Sequence, residues 1–430
     1  MPNLSDEDFL TELNEAMIER PLDLTNEDDR KRYVQIYDPS DPEADPVALL
    51  TNQIKRARSS SSAHLFSGFR GSGKSTELRR LQNKLQFLGY RVVYVDLDGY
   101  LDAYTPVGVG DYLLTLAGAF DDELHRLKLA KGVSVWKKAS GWLSKWEFEE
   151  IGLTADAKVV KVDLKASLRD NPEFRQRLRQ HLDRRLEVVV KAVHDEIGAQ
   201  AAKLADASTG TGIVLLIDST EKLSDTDDTN HAVRSSVRVL FAQNARRLRF
   251  PGVHAVYSVP PDLTVLEPQA LSTNYEGRVP SLTAVTVENK GGGRNERGVA
   301  LLLEVLQRRH REIARLISDP VQLDRLVLAS GGNLRNLLFL VRSVVERTFN
   351  LPVAARTIDG AIKGMADDFR YLTSDENAWL QELTKQQWPR LATDDDRRRF
   401  SEFLERQVVL PYRNGTEWYD VTPPVRELLL

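Results

Sequence analysis

The sequence predicts an α/β fold: a parallel sheet flanked by helices, then a helical region, then a small C-terminal domain of two helices and a hairpin. Three observations carry this. A glycine-rich loop, Gly68-Phe69-Arg70-Gly71-Ser72-Gly73-Lys74-Ser75-Thr76, stands between an apolar strand and a helix. Three further apolar runs, Arg91–Leu97, Gly212–Asp218 and Val253–Val259, read as buried strands and alternate with helical stretches. From Arg297 onward the periodicity is helical, until Asn414-Gly415 marks a tight hairpin between two strand-like runs.

The chain opens with an acidic, polar segment over 1–45, in which Phe9, Leu10, Leu13 and Met17 fall at helical spacing within Asp6–Arg20. A helix is expected from Pro46, with Val47, Leu50, Ile54 and Ala57 on one face. It leads into the strand His64–Ser67 and the glycine-rich loop, which matches the P-loop pattern G-x-x-x-x-G-K-[ST]. Gly68, Gly71 and Gly73 let the backbone turn its amides inward around a polyphosphate, at a helix N-terminus that favours anions. Ser72 and Thr76 belong to the same loop; Lys74 is placed to reach the β- and γ-phosphates, and the Ser75 hydroxyl to ligate Mg²⁺.

Gly89 reads as the stop of the helix after the loop. Asp96 and Asp98, at the end of the second strand, are either near the nucleotide or ordinary loop acids. A helix is expected over Gly110–Leu127. Residues 130–208 break the alternation and read as an insertion projecting from the core: Trp136, Trp142 and Trp146, a candidate hairpin at Glu147–Leu153 and Lys158–Leu164, and one long charged helix from Asn171 to Leu204. The tryptophans fit either an anchoring mini-core or a docking surface for a partner.

The run Gly212–Asp218 ends in a carboxylate at the edge where ligands bind in open α/β sheets, the Walker B pattern, and Glu221 follows. A helix over His231–Arg247, a strand carrying Ser258, then Arg278 and a strand at Leu282–Val287 complete the core. Lys290-Gly291-Gly292-Gly293-Arg294-Asn295 reads as a mobile loop. Helices are expected over about Val299–Ile317, Asp319–Ala329, Asn333–Phe349 and Ile358–Phe369, with Asn333 as an N-cap. Helices at Ser374–Lys385 and Asp394–Arg406 and a hairpin at Val408–Val421 form a winged-helix arrangement. The resulting division is an N-terminal segment over 1–45, a P-loop core over 46–290, a helical lid over 291–372 and a winged-helix domain over 373–430.

With 430 residues, 41% hydrophobic and 28% charged, the chain has ample material for a core. It contains no cysteine, which excludes disulfides, thiolate metal sites and cysteine nucleophiles and fits a cytoplasmic location. No apolar run approaches the ~18 residues of a membrane span, and the acidic N-terminus is unlike a signal peptide. A net charge of −4 gives no global electrostatic case for nucleic acid.

The order of these features resembles the AAA+ and STAND branch of P-loop ATPases, especially initiator-like members and their bacterial relatives, over about residues 46–100 and 210–430. The resemblance implies a P-loop NTPase fold with an AAA+/ASCE-like parallel sheet, ATP and Mg²⁺ as cofactors, and ATP hydrolysis. Ser258 matches the sensor-1 position, Arg335 sensor-2, and Arg278 the arginine finger offered to a neighbouring subunit of a homo-oligomer. Ser219 stands where many AAA+ enzymes have the water-polarising glutamate, leaving that role to Glu221. The expected function is a regulatory switch or assembly module that controls a protein effector, a role that relatives fill in bacterial antiviral defence. The alternative is a DNA-handling ATPase using the winged helix, although Asp394-Asp395-Asp396-Arg397-Arg398-Arg399 balances its charges.

Overall fold

The computed structural model describes residues 5–37, 44–57, 61–102, 105–130, 133–145, 164–205, 212–220 and 231–429. In chain order, helices α1 (Asp6–Ala16), α2 (Glu27–Arg32) and α3 (Pro46–Arg56) precede strand β1 (Ser62–Gly68). α4 (Lys74–Phe87), β2 (Arg91–Asp96) and α5 (Val109–Arg126) follow. Next come α6 (Val135–Lys145), α7 (Leu164–Asp170), α8 (Pro172–Arg184) and α9 (Leu186–Leu204). β3 (Ile213–Asp218), α10 (His231–Arg238), β4 (Val253–Val259), α11 (Pro261–Leu266), α12 (Pro268–Asn274) and β5 (Ser281–Leu282) close the α/β part. The remainder holds α13 (Glu296–Arg309), α14 (Ile313–Leu316), α15 (Pro320–Ala329), α16 (Leu334–Glu346), α17 (Ala355–Asp367), α18 (Ser374–Gln386), α19 (Asp394–Glu405), β6 (Val409–Asn414), β7 (Thr416–Val421) and α20 (Pro423–Arg426).

The five strands of the main sheet are ordered β2-β3-β4-β1-β5, and β1–β4, β4–β3 and β3–β2 pair in parallel. β4 thus separates the P-loop strand from the Walker B strand, the arrangement of an AAA+/ASCE-like P-loop fold. Two compact units divide the chain: Pro46–Ser67 with Arg80–Pro280, and Met1–Asp45 with Gly68–Arg79 and Ser281–Leu430.

In the first unit, Val93, Val95, Leu215, Ile217, Ala255 and Tyr257 share a buried core with α5, α8 and α9. Apolar side chains on both sheet faces make these strands continuous hydrophobic runs, as parallel strands require. The expected helix over Asn171–Leu204 is two helices, broken at Arg185 (φ −126, ψ 27). The described part of the 130–208 segment does not project. Leu178, Leu182, Val193 and Ile197 pack into the same core as the sheet, and Leu182 lies where a Cβ on Gly110 would be 2.8 Å away. Trp136 is an anchor: its ring sits against Gly118, where a Cβ would come within 2.1 Å, and its Nε1 donates to Asp122. The side chain of Trp142, all of Trp146 and the candidate hairpin up to residue 163 lie outside the described residues. The helix expected over His231–Arg247 stops at Arg238 and continues as a π-helical turn, Val239–Gln243, and a 3₁₀ turn, Ala245–Leu248.

In the second unit, α1 packs Phe9, Leu13 and Met17 against Leu302, Leu306 and Ile313 of the lid. The acidic N-terminal segment is therefore built into the lid's core. Arg309 Nη1 donates to the Ala16 and Ile18 carbonyls, and burial lowers its pKa to about 10. The strand expected at Leu282–Val287 ends at Leu282, because the following backbone finds other partners. Ala284 N donates to Pro411 O and Val285 N to Gly332 O. The Gly291–Gly293 segment is a pinned turn: Asn289 N donates to Gly293 O, and Gly291 N to Gln387 Oε1. Two capping boxes, Thr373–Glu376 and Thr393–Asp396, start α18 and α19, and β6 and β7 turn at Gly415 (φ +76). No helix among the described residues is long and apolar enough to cross a membrane.

Candidate functional site

The registers Ser67↔Val259, Ile217↔Tyr257 and Asp96↔Asp218 bring the C-terminal ends of β1 to β4 to one edge of the sheet. The chain leaves β1 at this edge and enters the P-loop. There Gly71 and Gly73 hold φ of +82 and +89, values that glycine adopts without strain. Gly68 is equally constrained by space, since a Cβ there would meet Ser72 Oγ at 2.8 Å. Ser72 Oγ donates to Phe69 O at 2.7 Å. The Lys74 side chain curls over its own loop, and Nζ donates to Gly68 O (2.7 Å) and Phe69 O (3.0 Å). A phosphate oxygen is the stronger partner for that ammonium, so these carbonyls hold the lysine in place. Ser75 sits in the first turn of α4, whose free amides point out of the helix end. The Thr76 hydroxyl is engaged by the N-terminal segment, accepting from Leu22 N at 3.0 Å.

Residues distant in the chain hold this loop from the lid and the C-terminal hairpin. Phe69 is buried in a cluster with Ala284, Leu410, Tyr412 and Trp418, so the C-terminal hairpin grips the loop. Gln407, with φ +57, donates from Nε2 to Arg70 O and accepts at Oε1 from Asn333 Nδ2 (2.6 Å). Asn333 caps α16, its Oδ1 accepting from Arg335 N. Arg335 lies directly on the loop, where a Cβ on Gly71 would be 2.6 Å from its own Cβ. Its guanidinium pairs with Glu19 at 2.6 Å. Lid arginine and P-loop are therefore together, with an N-terminal carboxylate as the arginine's counter-ion.

At the end of β3, Asp218 is 1% exposed. Its Oδ1 accepts from Ser219 N at 2.8 Å and its Oδ2 from the Tyr94 hydroxyl. Ser258 is buried and its Oγ accepts from Thr220 N at 3.3 Å, tying the end of β4 to the turn after β3. Glu221 lies outside the described residues. Arg278 is exposed, and its carbonyl accepts from Gln53 Nε2. The Tyr94 contact follows from the register of β2 against β3, which only the fold shows. Glu19, Gln407 and Phe69 carried no local signal.

The donor set fits a magnesium nucleotide. The Ser75 hydroxyl and the Asp218 carboxylate are each hard oxygen donors of the kind Mg²⁺ takes beside phosphates, and Gly71 and Gly73 keep the positive φ that turns loop amides toward an anion.

No protein-family model matches the chain, and none of the curated proteins does. Among solved structures it is similar to the Walker-type ATPase of Pyrococcus abyssi: 12% identity over 96% of this chain and 99% of that one, TM-score 0.44. It is also similar to the ORC2 protein of Aeropyrum pernix in its ADP form (10%, covering 94% and 96%, TM-score 0.40). A third similar structure is Cdc6p of Pyrobaculum aerophilum (13%, covering 93% and 96%, TM-score 0.35).

Proposed function

We propose that this chain is an ATP-binding, Mg²⁺-dependent AAA+-type ATPase that acts as a nucleotide-controlled switch for a protein effector. The observation that carries the reading is Arg335 of the lid laid against Gly71 of the P-loop. Loop amides and Lys74 bind the β- and γ-phosphates, the lysine exchanging its two carbonyl partners for phosphate oxygens. Ser75 and Asp218 are the residues that would hold Mg²⁺, which when bound neutralises charge developing on the phosphates. Arg335 exchanges Glu19 for the γ-phosphate and so reports ATP to α16. Ser258 serves as sensor-1, Glu221 orients the attacking water, and Arg278 acts on the site of a neighbouring copy. The grip of the terminal hairpin on Phe69, and of Gln407 on Arg70, supports transmission of loop state to the terminal domain. Lys74→Ala should lose ATP binding in calorimetry, since the loop loses its cation; parental affinity would reject the site.

A second reading, an ATPase that handles DNA, is supported by the terminal arrangement of α18, α19 and the β6–β7 hairpin. Against it, Arg398 and Arg399 of α19 pair with Asp395 and Glu402 on the same helix. DNA binding that weakens steeply with salt and stimulates turnover would select this reading.

A further inference from the structure

Tyr94 is no part of any motif, yet its hydroxyl holds a carboxylate oxygen of Asp218. On β2 it pairs with Leu216 of β3, two residues before Asp218. Tyr94 and Asp218 therefore face the same side of the sheet as diagonal neighbours, about 7 Å apart, a gap that a phenol spans. The hydroxyl donates to Asp218 Oδ2, while Ser219 N holds Oδ1. Ser219 keeps φ +66, a conformation that non-glycine residues rarely adopt and that persists only when its surroundings impose it. Both carboxylate oxygens are thus fixed by donors, in a residue that is 1% exposed.

We infer that Tyr94 is a positioning residue for the divalent cation, setting the plane of the Asp218 carboxylate. The inference rests on the reading that Asp218 serves Mg²⁺. The terminal torsion of an aspartate is broad and two-fold, so one amide at Oδ1 leaves the other oxygen free to swing. The phenol removes that freedom and holds the carboxylate plane in one orientation. Partners of this kind, one shell out from a metal, typically change affinity by about 10–100-fold when removed.

The test uses the full chain loaded with ADP and Mn²⁺ as the probe, with bound Mn²⁺ read by electron paramagnetic resonance. Tyr94→Phe should weaken Mn²⁺ binding about 10-fold or more. Its ADP affinity in EDTA should stay at the parental value, which a general loss of structure would not allow. Adding Tyr94→Phe to Asp218→Asn should cost no further Mn²⁺ affinity, because the phenol acts through the carboxylate. Parental Mn²⁺ affinity in Tyr94→Phe, with a loss in Asp218→Asn, overturns the inference alone; an additive further loss in the double variant overturns it too. Parental affinity in both single variants overturns the Walker B assignment itself.

Discussion

At the scale of single residues, the pairing of Glu19 with Arg335 decides what the lid arginine does before ATP arrives. Each side chain is about one-third exposed, at 30% and 33%, so the pair contributes at most about 1 kcal/mol. In the proposed switch a γ-phosphate, carrying more charge, would displace it. Glu19→Gln removes this competitor without changing shape. We expect the ratio of ATP to ADP affinity to rise by up to about 5-fold, the equivalent of that 1 kcal/mol. Competition against a fluorescent nucleotide measures it; an unchanged ratio would show that Arg335 does not sense the γ-phosphate. Lys74 stands at the same scale: its carbonyl partners are its own loop's, so Lys74→Ala should spare the fold while losing ATP.

At the scale of elements, the two ends of the sheet do different work. One edge gathers the C-terminal ends of β1 to β4, with Asp218 at the end of β3. The opposite ends of β1 and β4 carry His64 and His254, joined through Ser62 Oγ, which is 2.8 Å from a ring nitrogen of each. Burial is the main cause that lowers both, His64 to about 4. The unfolded chain, with histidine near its ordinary value of about 6.5, then binds more protons than the folded chain between pH 6.5 and 4. Stability present above pH 6.5 is therefore lost as pH falls through this window, His64 accounting for about 3 kcal/mol by pH 4. Urea unfolding at pH 7, 6 and 5 should show this decline, and His64→Gln should flatten it. Parallel slopes for parent and variant would place the pH dependence elsewhere.

At the scale of the whole molecule, the proposal that copies assemble rests on Arg278, exposed just ahead of β5. An arginine supplied in trans changes turnover by about 10³-fold or more. Arg278→Ala should bind ATP normally and hydrolyse it poorly. Lys74→Ala supplies an intact Arg278 but no working site of its own, so mixing the two variants should recover activity. Co-assembled subunits that show no recovery would refute a finger in trans.

The sequence by itself determined what is local in chemistry. The P-loop pattern, the buried strands, the cap of α16 and the Asn414-Gly415 turn were legible because each is set by residues adjacent in the chain. Most lid and terminal helices came out within a few residues for the same reason, but the helix expected over Val299–Ile317 is two: α13 ends at Arg309, where His310 turns extended (φ −149, ψ 115), and α14 runs Ile313–Leu316. The sequence did not determine where long-range partners interrupt a pattern. Residues Ala284–Val287 have strand character, yet Pro411, Gly332 and Asn295 take their backbone groups and the strand ends at Leu282. The charged helices α8 and α9 read as a projection because their stripe of leucines and valines has no visible partner in sequence. Only the fold shows α5 and the sheet covering it. Tertiary structure alone brought Glu19 to Arg335, Gln407 to Arg70 and Phe69 into the terminal hairpin. Such contacts join residues hundreds of positions apart. An ion pair or a buried ring leaves no periodic trace in the chain; its partner is chosen by packing.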